Sequence, residues 1–386
     1  MLRRTQTAFC SLVLMALLGA CAMIDTVDPR YDSVNRSTAK ARNESILLNI
    51  VRASHSVPLN FVAFTRVSGS TSVGANAGLP TFGLGQFFPP GLNILPSPPS
   101  PREFALSNST LGGTTHAGNN FDIGVLETQD FYNGLLKPVD LPTVNFFIRQ
   151  GYSRELLFWL FAESVRETAL GQTIEFLNDP NPGLSCQTTR GIERCFSDMV
   201  DVAIASGLTI ETRRIKERIV ARFCFDHVLA DRAMKEYGPE IGRFLLSNVH
   251  RPRCKIDPWP TNRLETDTLE FTFAGTPYGT VYYEIIPRSG FGIYQFLGRI
   301  LASGQQGTLR LRGTHYPPAE DRRILAVERA GAGGCLVDVN FEDEYYCVPL
   351  HGAQNTKRIM GLLAQLIAIN TNTKDLAITP TVRAVQ

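Results

Sequence analysis

Cys21 is the residue whose type and surroundings specify one chemistry, the attachment of a lipid to a thiol. It follows Leu18-Gly19-Ala20 at the end of an apolar run from Ala8 to Leu18, with Arg3 and Arg4 ahead of that run. A run of this length suits a secretory h-region and is too short to cross a bilayer as a helix. Small residues just before the cysteine fit a peptidase cleft, and cleavage there leaves Cys21 as the lipid-bearing first residue of a mature chain. The pattern resembles a bacterial lipobox. Ala20-Cys21-Ala22 also satisfies the A-x-A pattern of ordinary signal cleavage, which would release a soluble periplasmic protein, and a retained signal anchor is a third reading. The leucine and the Gly-Ala pair together favour lipidation. Residues 1–20 are therefore expected to be a lipoprotein signal peptide, and Cys21 the lipidation site. The next residue is Ala22 and not aspartate, which in the bacterial sorting logic this resembles favours the outer membrane. The expected location is the outer membrane, lipid-anchored, with the body in the periplasm.

The other side chains able to do chemistry are dispersed. Of eight cysteines, Cys10 falls in the signal segment and Cys21 carries the lipid. The six that remain lie as neighbours along the chain: Cys186 and Cys195, Cys224 and Cys254, Cys335 and Cys347. In an oxidising compartment an even count reads as a disulfide framework. The sequential pairing forms the shortest loops and is the expected one, each bridge stabilising the fold by on the order of 2–4 kcal/mol. No pair has C-x-x-C spacing and no His-x-His lies near, so no metal site is expected. His55, His116, His227, His250, His315 and His351 are scattered. Asp226-His227 is the nearest approach to a catalytic base, and surface or hydrogen-bonded histidines are the simpler account. Glu342-Asp343-Glu344 reads as a solvated hairpin tip before it reads as an acid pair or cation site. H-E-x-x-H, G-x-S-x-G and G-x-x-x-x-G-K-[ST] are all absent. Gly331-Ala-Gly333-Gly334 lacks dinucleotide-fingerprint spacing and reads as a loop leading into a hairpin. No catalytic residue and no cofactor is assigned; a periplasmic hydrolase assembled from distant positions is the third-ranked reading.

Charge narrows the partners. The chain has 38 basic and 36 acidic residues; removing Arg3 and Arg4 with residues 1–20 leaves 36 of each sign. A nucleic-acid binder needs a basic surface to displace counterions, and this sequence has no such cluster. The expected partners are the membrane, through the N-terminal lipid, and other envelope proteins or further copies of the chain.

The elements that must position these residues follow from periodicity. Residues 22–32 read as a tether, so 21–32 links the lipid to the fold. Ser33–Ser54 has helical spacing of Ala39, Ile46, Leu47, Ile50 and Val51, stopped by Pro58, and 59–67 reads as a strand, giving an N-terminal helix and strand over 33–65. From 127 to 386 the pattern is that of an α+β body with mostly antiparallel strands. Helices fit 128–136, 142–150, 192–203, 293–301 and 359–367; strands fit 208–214, 268–274, 279–286, 376–385 and the hairpin 335–349. Leu156–Ala162 is ambiguous between buried strand and helix. Strands and helices mix without a βαβ rhythm, which argues against a doubly wound sheet.

Residues 66–126 stand apart. Only Arg66, Arg102, Glu103 and Asp122 are charged, and six prolines fall between Pro89 and Pro101. Val73, Ala75, Ala77 and Leu79 alternate with Ser72, Gly74, Asn76 and Gly78; Phe121, Ile123 and Val125 alternate with Asn120, Asp122 and Gly124. Period two marks strands with unlike faces. The flanks 68–79 and 115–126 thus read as one long Gly/Ser/Pro-rich β excursion. It packs on the body or a neighbouring subunit, donates an amphipathic hairpin to an oligomeric barrel, or is a plain flexible loop.

Several strings occur together: Ala41-Arg-Asn-Glu44, Asn49-Ile-Val-Arg-Ala53, Pro58-Leu-Asn-Phe61, Gln150-Gly-Tyr-Ser153, and Leu362-Leu-Ala-Gln-Leu366 followed by Lys374-Asp-Leu376 and Thr379-Pro380. Over most of the mature chain they resemble a group of uncharacterised proteobacterial outer-membrane lipoproteins. That resemblance implies an envelope location and a non-catalytic role, and it carries no site beyond Cys21. The reading from sequence is a structural or interaction component of an envelope assembly. An oligomeric pore or export component, each subunit donating a hairpin from 66–126, is the alternative.

Overall fold

A computed structural model describes residues 27–76, 112–126, 128–189, 192–205, 207–215, 218–226, 254–255, 269–276, 279–307, 309–311, 322–329, 334–371 and 381–384. The chain divides into two compact units, one of residues 1–63 and 125–379 and one of 64–124 and 380–386. Both helices and antiparallel strands build the first unit, so the class is α+β.

The body begins with helix α1, Val27–Ser54. Its start corrects the expectation of a tether to residue 32. Pro29 sits in the first turn, where its missing N–H has no intrahelical partner to lose. Asp32 with Arg36 and Lys40 with Glu44 add i,i+4 ion pairs along the exposed half. The second half buries Ile46, Leu47, Ile50 and Val51. Asn49, also buried, acts as a two-point clamp: its amide donates to the Asn60 carbonyl at 2.8 Å and accepts from the Asn60 N–H at 2.9 Å. The clamp folds the Pro58–Phe61 segment back along the helix and satisfies both backbone groups of Asn60. Phe61 then packs on Phe131 and Tyr294, with ring centroids 5.4 and 5.5 Å apart.

Three short helices follow, α2 Gln129–Leu136, α3 Leu141–Arg149 and α4 Arg154–Phe161. Each has a side-chain N-cap, from Thr128, Asp140 and Ser153 respectively, which satisfies one of the N–H groups that a helix start leaves unpaired. The ambiguous run 156–162 resolves as the end of α4, with a strand beginning at Ala162. That strand, β3 (Ala162–Ala169), pairs with β4 (Gln172–Leu177) and with a strand more than a hundred residues away. A single turn α5 (Pro182–Ser185) leads to the hairpin of β5 (Cys186–Thr189) and β6 (Ile192–Cys195), then α6, Phe196–Ala205. The helix expected from 192 starts four residues later, because Ile192–Cys195 pairs with β5 and Cys195 is bonded to Cys186. Cross-strand pairing and the disulfide overrode the helical periodicity there.

Strands β7 (Leu208–Ile215) and β8 (Arg218–Phe225) form a second hairpin; β9 (Leu269–Thr276) and β10 (Gly279–Pro287) complete a four-stranded sheet of order β4-β3-β10-β9. Helix α7 (Gly290–Ser303), hairpin β11 (Cys335–Phe341) and β12 (Glu344–Pro349), and helix α8 (Gln354–Asn370) close the body. Glu342 and Asp343 take φ of 49° and 64° at the hairpin tip, as the two central residues of a tight twisted turn require.

Helices α1 and α7 meet closely. A methyl group on Gly298 would lie 2.5 Å from the Ala53 Cβ and 2.6 Å from its carbonyl carbon. Gly298→Ala is expected to push the helices apart and cost about 1–3 kcal/mol, read as a lowered urea midpoint with an unchanged m value. An unchanged midpoint would mean that the contact yields freely.

Tyr294, on α7, is fully buried and its hydroxyl has no hydrogen-bond partner. Burial pushes that hydroxyl far above the ordinary phenol range. The folded value therefore lies above the unfolded one. The stabilisation is complete below about pH 10 and is lost as pH rises beyond it, where only the unfolded chain ionises. Tyr294→Phe is expected to be neutral or stabilising by about 1 kcal/mol at pH 7, with a shallower fall in stability above about pH 10. Thermal melts across that range check it, and an identical alkaline slope would refute the assignment.

Two polar networks tie the body together. Arg288, 1% exposed between β10 and α7, donates from Nη1 to the carbonyls of Trp159 (3.2 Å) and Leu160 (3.1 Å), and from Nη2 to that of Asn178 (3.1 Å). Its guanidinium lies 4.2 Å above the Phe296 ring. Glu167 on β3, 7% exposed, is held bidentately by Arg194 at 2.9 and 3.0 Å and accepts from the Tyr283 hydroxyl at 2.9 Å.

The second unit holds a three-stranded sheet of order β1-β2-β13, where β1 is Val62–Asn76, β2 Gly112–Val125 and β13 Thr381–Ala384. The strand expected at 59–67 overlaps β1 from Val62 on, and the flanks expected at 68–79 and 115–126 fall on β1 as far as Asn76 and on β2 as far as Val125, with 77–79 outside the described residues. Strand β13 pairs antiparallel with β2, Thr381 opposite Gly124 through Ala384 opposite Phe121.

Candidate functional site

Cys10 and Cys21 lie outside the described residues, as do His227, His250, His315, Gly331–Gly333 and the Pro-rich stretch 89–101. The six remaining cysteines pair as expected: Cys186–Cys195, Cys224–Cys254 and Cys335–Cys347, closing loops with separations of 9, 30 and 12 residues. On the chain-entropy account such loops contribute roughly 2.5–4 kcal/mol each. Glu211 lies beside the Cys224 and Cys254 sulfurs, but its carboxylate is occupied. One oxygen accepts from Arg222, the other from the Lys255 N–H at 2.8 Å. With both sulfurs bonded to each other, the trio offers a cation no thiolate. Its role is to hold residues 254–255 against the β7–β8 hairpin, where the Cys254 N–H also reaches the Phe225 carbonyl.

A relay that sequence reading missed joins the end of α1 to the β11–β12 hairpin. His55 Nε2 lies 2.9 Å from the Tyr346 hydroxyl, which donates to Glu344 Oε2 at 2.6 Å. Nδ1 faces Glu342 at 3.9 Å, and Arg329 lies 3.9 Å from Glu344. Because the phenol proton goes to Glu344, Nε2 must carry a hydrogen and donate. Burial and the Glu344 hydrogen bond push the Tyr346 hydroxyl up to about 12; Tyr346 and then Arg329 hold the exposed Glu344 carboxyl below its usual range. The imidazole is therefore committed as a bridge between helix and hairpin, which leaves no free lone pair for base catalysis at Nε2. No sequence signal pairs residues 291 positions apart. The hairpin tip is exposed, as expected, yet Glu344 is an internal acceptor as well as a solvated acid.

The body also holds an apolar cleft of about 520 Å³, counting space open to solvent, between α3, α4, the β7–β8 hairpin and the end of β10. Leu141, Val144, Phe158, Phe161, Phe223 and Ile285 supply much of its wall, and only Arg154 and Thr209 bring polar side chains. Arg154 donates to the Leu208 carbonyl at 3.0 Å. Its burial pulls its guanidinium down, and Asp226 opposes this. Thr209 supplies the one hydroxyl in an otherwise apolar wall, apart from Arg154.

The second unit differs from the first in strand length and charge. Its strands run 15 and 14 residues, against a usual length of about 5–6. Arg66 is the only Lys, Arg, Asp or Glu in β1 and Asp122 the only one in β2; Arg383 of β13 stands in register with Asp122. No helix among the described residues is long and apolar enough to cross a membrane. Compared with models of known protein families, with curated proteins and with solved structures, the chain matches none.

Proposed function

We propose that the chain is an outer-membrane lipoprotein of the kind its strings resemble, anchored through Cys21, whose periplasmic body serves an envelope assembly and not a catalytic cycle. One observation carries this reading: one unit of the chain is built on long, almost uncharged strands and the other is braced by three disulfides. Such a strand pair leaves edges that other chains can extend. Three disulfides suit an oxidising compartment. The engaged His55 relay supports a structural over a catalytic use of the body's only described His–Tyr–Glu chain.

The test is the location and mass of the protein in its own envelope. Wild type is expected in the outer-membrane fraction and, after mild detergent extraction, in a complex several times the mass of the processed chain. Cys21→Ser is expected to move it to the soluble periplasmic fraction. Unchanged membrane association of that variant would overturn the lipid anchor. A monomeric mass for extracted wild type would overturn the assembly role.

A further inference from the structure

We infer that the cleft between α3, α4 and the β7–β8 hairpin binds a fatty acid, with its acyl chain along the apolar wall and its carboxylate on Arg154. This site goes beyond the envelope-assembly reading and does not depend on it.

The wall is the first argument. Leu141, Val144 and Ile148 of α3 recur at the three- and four-residue spacing that puts side chains on one helix face. Leu157 and Phe161 do the same on α4, and Ile210 of β7 stands opposite Phe223 of β8 in the hairpin register. Each element turns apolar residues inward, yet they do not close on one another. About 520 Å³ is left between them, counting space open to solvent, within the range of about 300–1,000 Å³ of small-molecule sites. An apolar gap without atoms to fill it forfeits dispersion contacts and transfer energy. An acyl chain restores both.

The two ends are the second argument. Strand β7 lines the cleft from its first residue, Leu208. Arg154, in the first turn of α4, donates from Nη1 to the Leu208 carbonyl at 3.0 Å. Among the described residues the guanidinium makes no other hydrogen bond, so donors remain for a ligand. Thr212, about 13 Å further along the strand, shares the face of Leu208 and Ile210. Its hydroxyl accepts from Asn145 Nδ2 at 3.1 Å. The cleft therefore has a cation at one end, an apolar wall along its length, and a neutral amide–hydroxyl pair just beyond the other end. That order is complementary to an amphiphile with an anionic head and one apolar tail. A carboxylate is the head that fits, because it is planar and takes the paired N–H donors of a guanidinium.

Asp226 works against the ligand. Its N–H donates to the Gly207 carbonyl at 3.0 Å, which sets it at the Arg154 end, and its charge holds the guanidinium ionised against burial. A fatty acid must compete with Asp226 for the cation, which makes that position diagnostic.

Full-length protein in phosphatidylcholine nanodiscs, photolabelled with a dodecanoate that carries a diazirine at its tail, tests this. Wild type is expected to take the label saturably, in peptides from α3, α4 or the β7–β8 hairpin. Unlabelled dodecanoate is expected to compete at least about tenfold better than dodecanol or dodecylamine, which cannot make the charge-assisted bond to Arg154. Arg154→Met is expected to cut labelling about tenfold, Arg154→Lys to cut it less, and Asp226→Asn to raise it several-fold. Ile148→Trp, which fills the cleft, is expected to block it. No saturable label, label outside the cleft walls, or equal competition by all three headgroups would overturn the site. Better competition by lysophosphatidylglycerol than by dodecanoate would overturn the carboxylate and assign the head to a phosphate. If Arg154→Met fails to fold, the headgroup series on wild type decides alone. None of these readouts involves Cys21, so failure of the cleft and failure of the lipid anchor are seen separately.

Discussion

Replacing Arg288 with alanine is expected to lower the stability of the body by about 3–5 kcal/mol, the cost of breaking a fully buried charged network. The reason lies in where its three bonds go. Trp159 and Leu160 are in the last turn of α4, whose carbonyls have no intrahelical donor, and a cation there also meets the negative end of the helix dipole. Asn178 shares the task, donating to the carbonyls of Trp159 and Ala162 at 2.7 Å each. Alanine would leave the Leu160 and Asn178 carbonyls buried without those donors and open a void beside Phe296. Gly292 belongs to the same arrangement, since a methyl group there would lie 2.7 Å from Arg288 Cγ. Burial pulls the guanidinium down to about 9, which still leaves it charged at neutral pH. Arg288→Lys is expected to recover little, because one ammonium cannot span three carbonyls in a fixed fork. Urea unfolding followed by tryptophan fluorescence reads the effect. A loss under about 1 kcal/mol for the alanine variant would show that water replaces the guanidinium at no cost.

Glu167→Ala is expected to cost a similar 3–5 kcal/mol, for the opposite charge. It would take the bidentate acceptor from Arg194, whose guanidinium lies 5.3 Å from the Phe176 ring centroid, and remove the acceptor of the Tyr283 hydroxyl. Tyr283 stands directly opposite Glu167 in the β3–β10 register. Its hydroxyl is pushed well above the ordinary phenol range, by burial first and then by the Glu167 charge and hydrogen bond. Most of the penalty is expected from leaving Arg194 without its bidentate carboxylate acceptor in a largely buried site, not from lost attraction. The double variant Glu167→Met, Arg194→Met is therefore expected to regain more than half of what Glu167→Ala loses. A double variant as unstable as the single one would assign the energy to the ion pair itself. Since Arg194 adjoins Cys195, loosening of the β5–β6 hairpin should appear as faster reduction of Cys186–Cys195 in the single variant.

Local order in the sequence made much of this fold legible. Thr128, Asp140 and Ser153 are helix caps because their oxygens reach the N–H three residues on, a contact set by spacing alone. The 335–349 hairpin, its tip at 342–343, and helices α7 and α8 follow from period and turn chemistry. Neighbouring cysteines predicted the disulfides because short loops close most readily. Strands β3, β4 and β8 escaped notice: Ala162–Ala169 carries Glu163, Arg166 and Glu167, and its clearest reason for being a strand is a partner beginning at Gly279.

The candidate sites divide in the same way. The low charge and alternation of 66–126 belong to local sequence, whereas the pairing of Thr381–Ala384 with β2, which brings the C-terminal residues into the same unit, does not. Cys21 is likewise a statement of local sequence. The strings that suggested a family, Asn49–Ala53 and Pro58–Phe61, acquired a physical meaning only in three dimensions: Asn49 clamps Asn60, Ala53 meets Gly298, and Phe61 anchors the aromatic cluster. What the sequence determined by itself is whatever a few adjacent residues encode, namely a lipidation pattern, caps, turns, short disulfide loops and an almost uncharged β excursion. The Arg288 and Glu167 networks and the His55 relay were decided by tertiary structure alone. A buried charge finds its partners through space, and nothing in the spacing of residues 55 and 346, or 160 and 288, records that they meet.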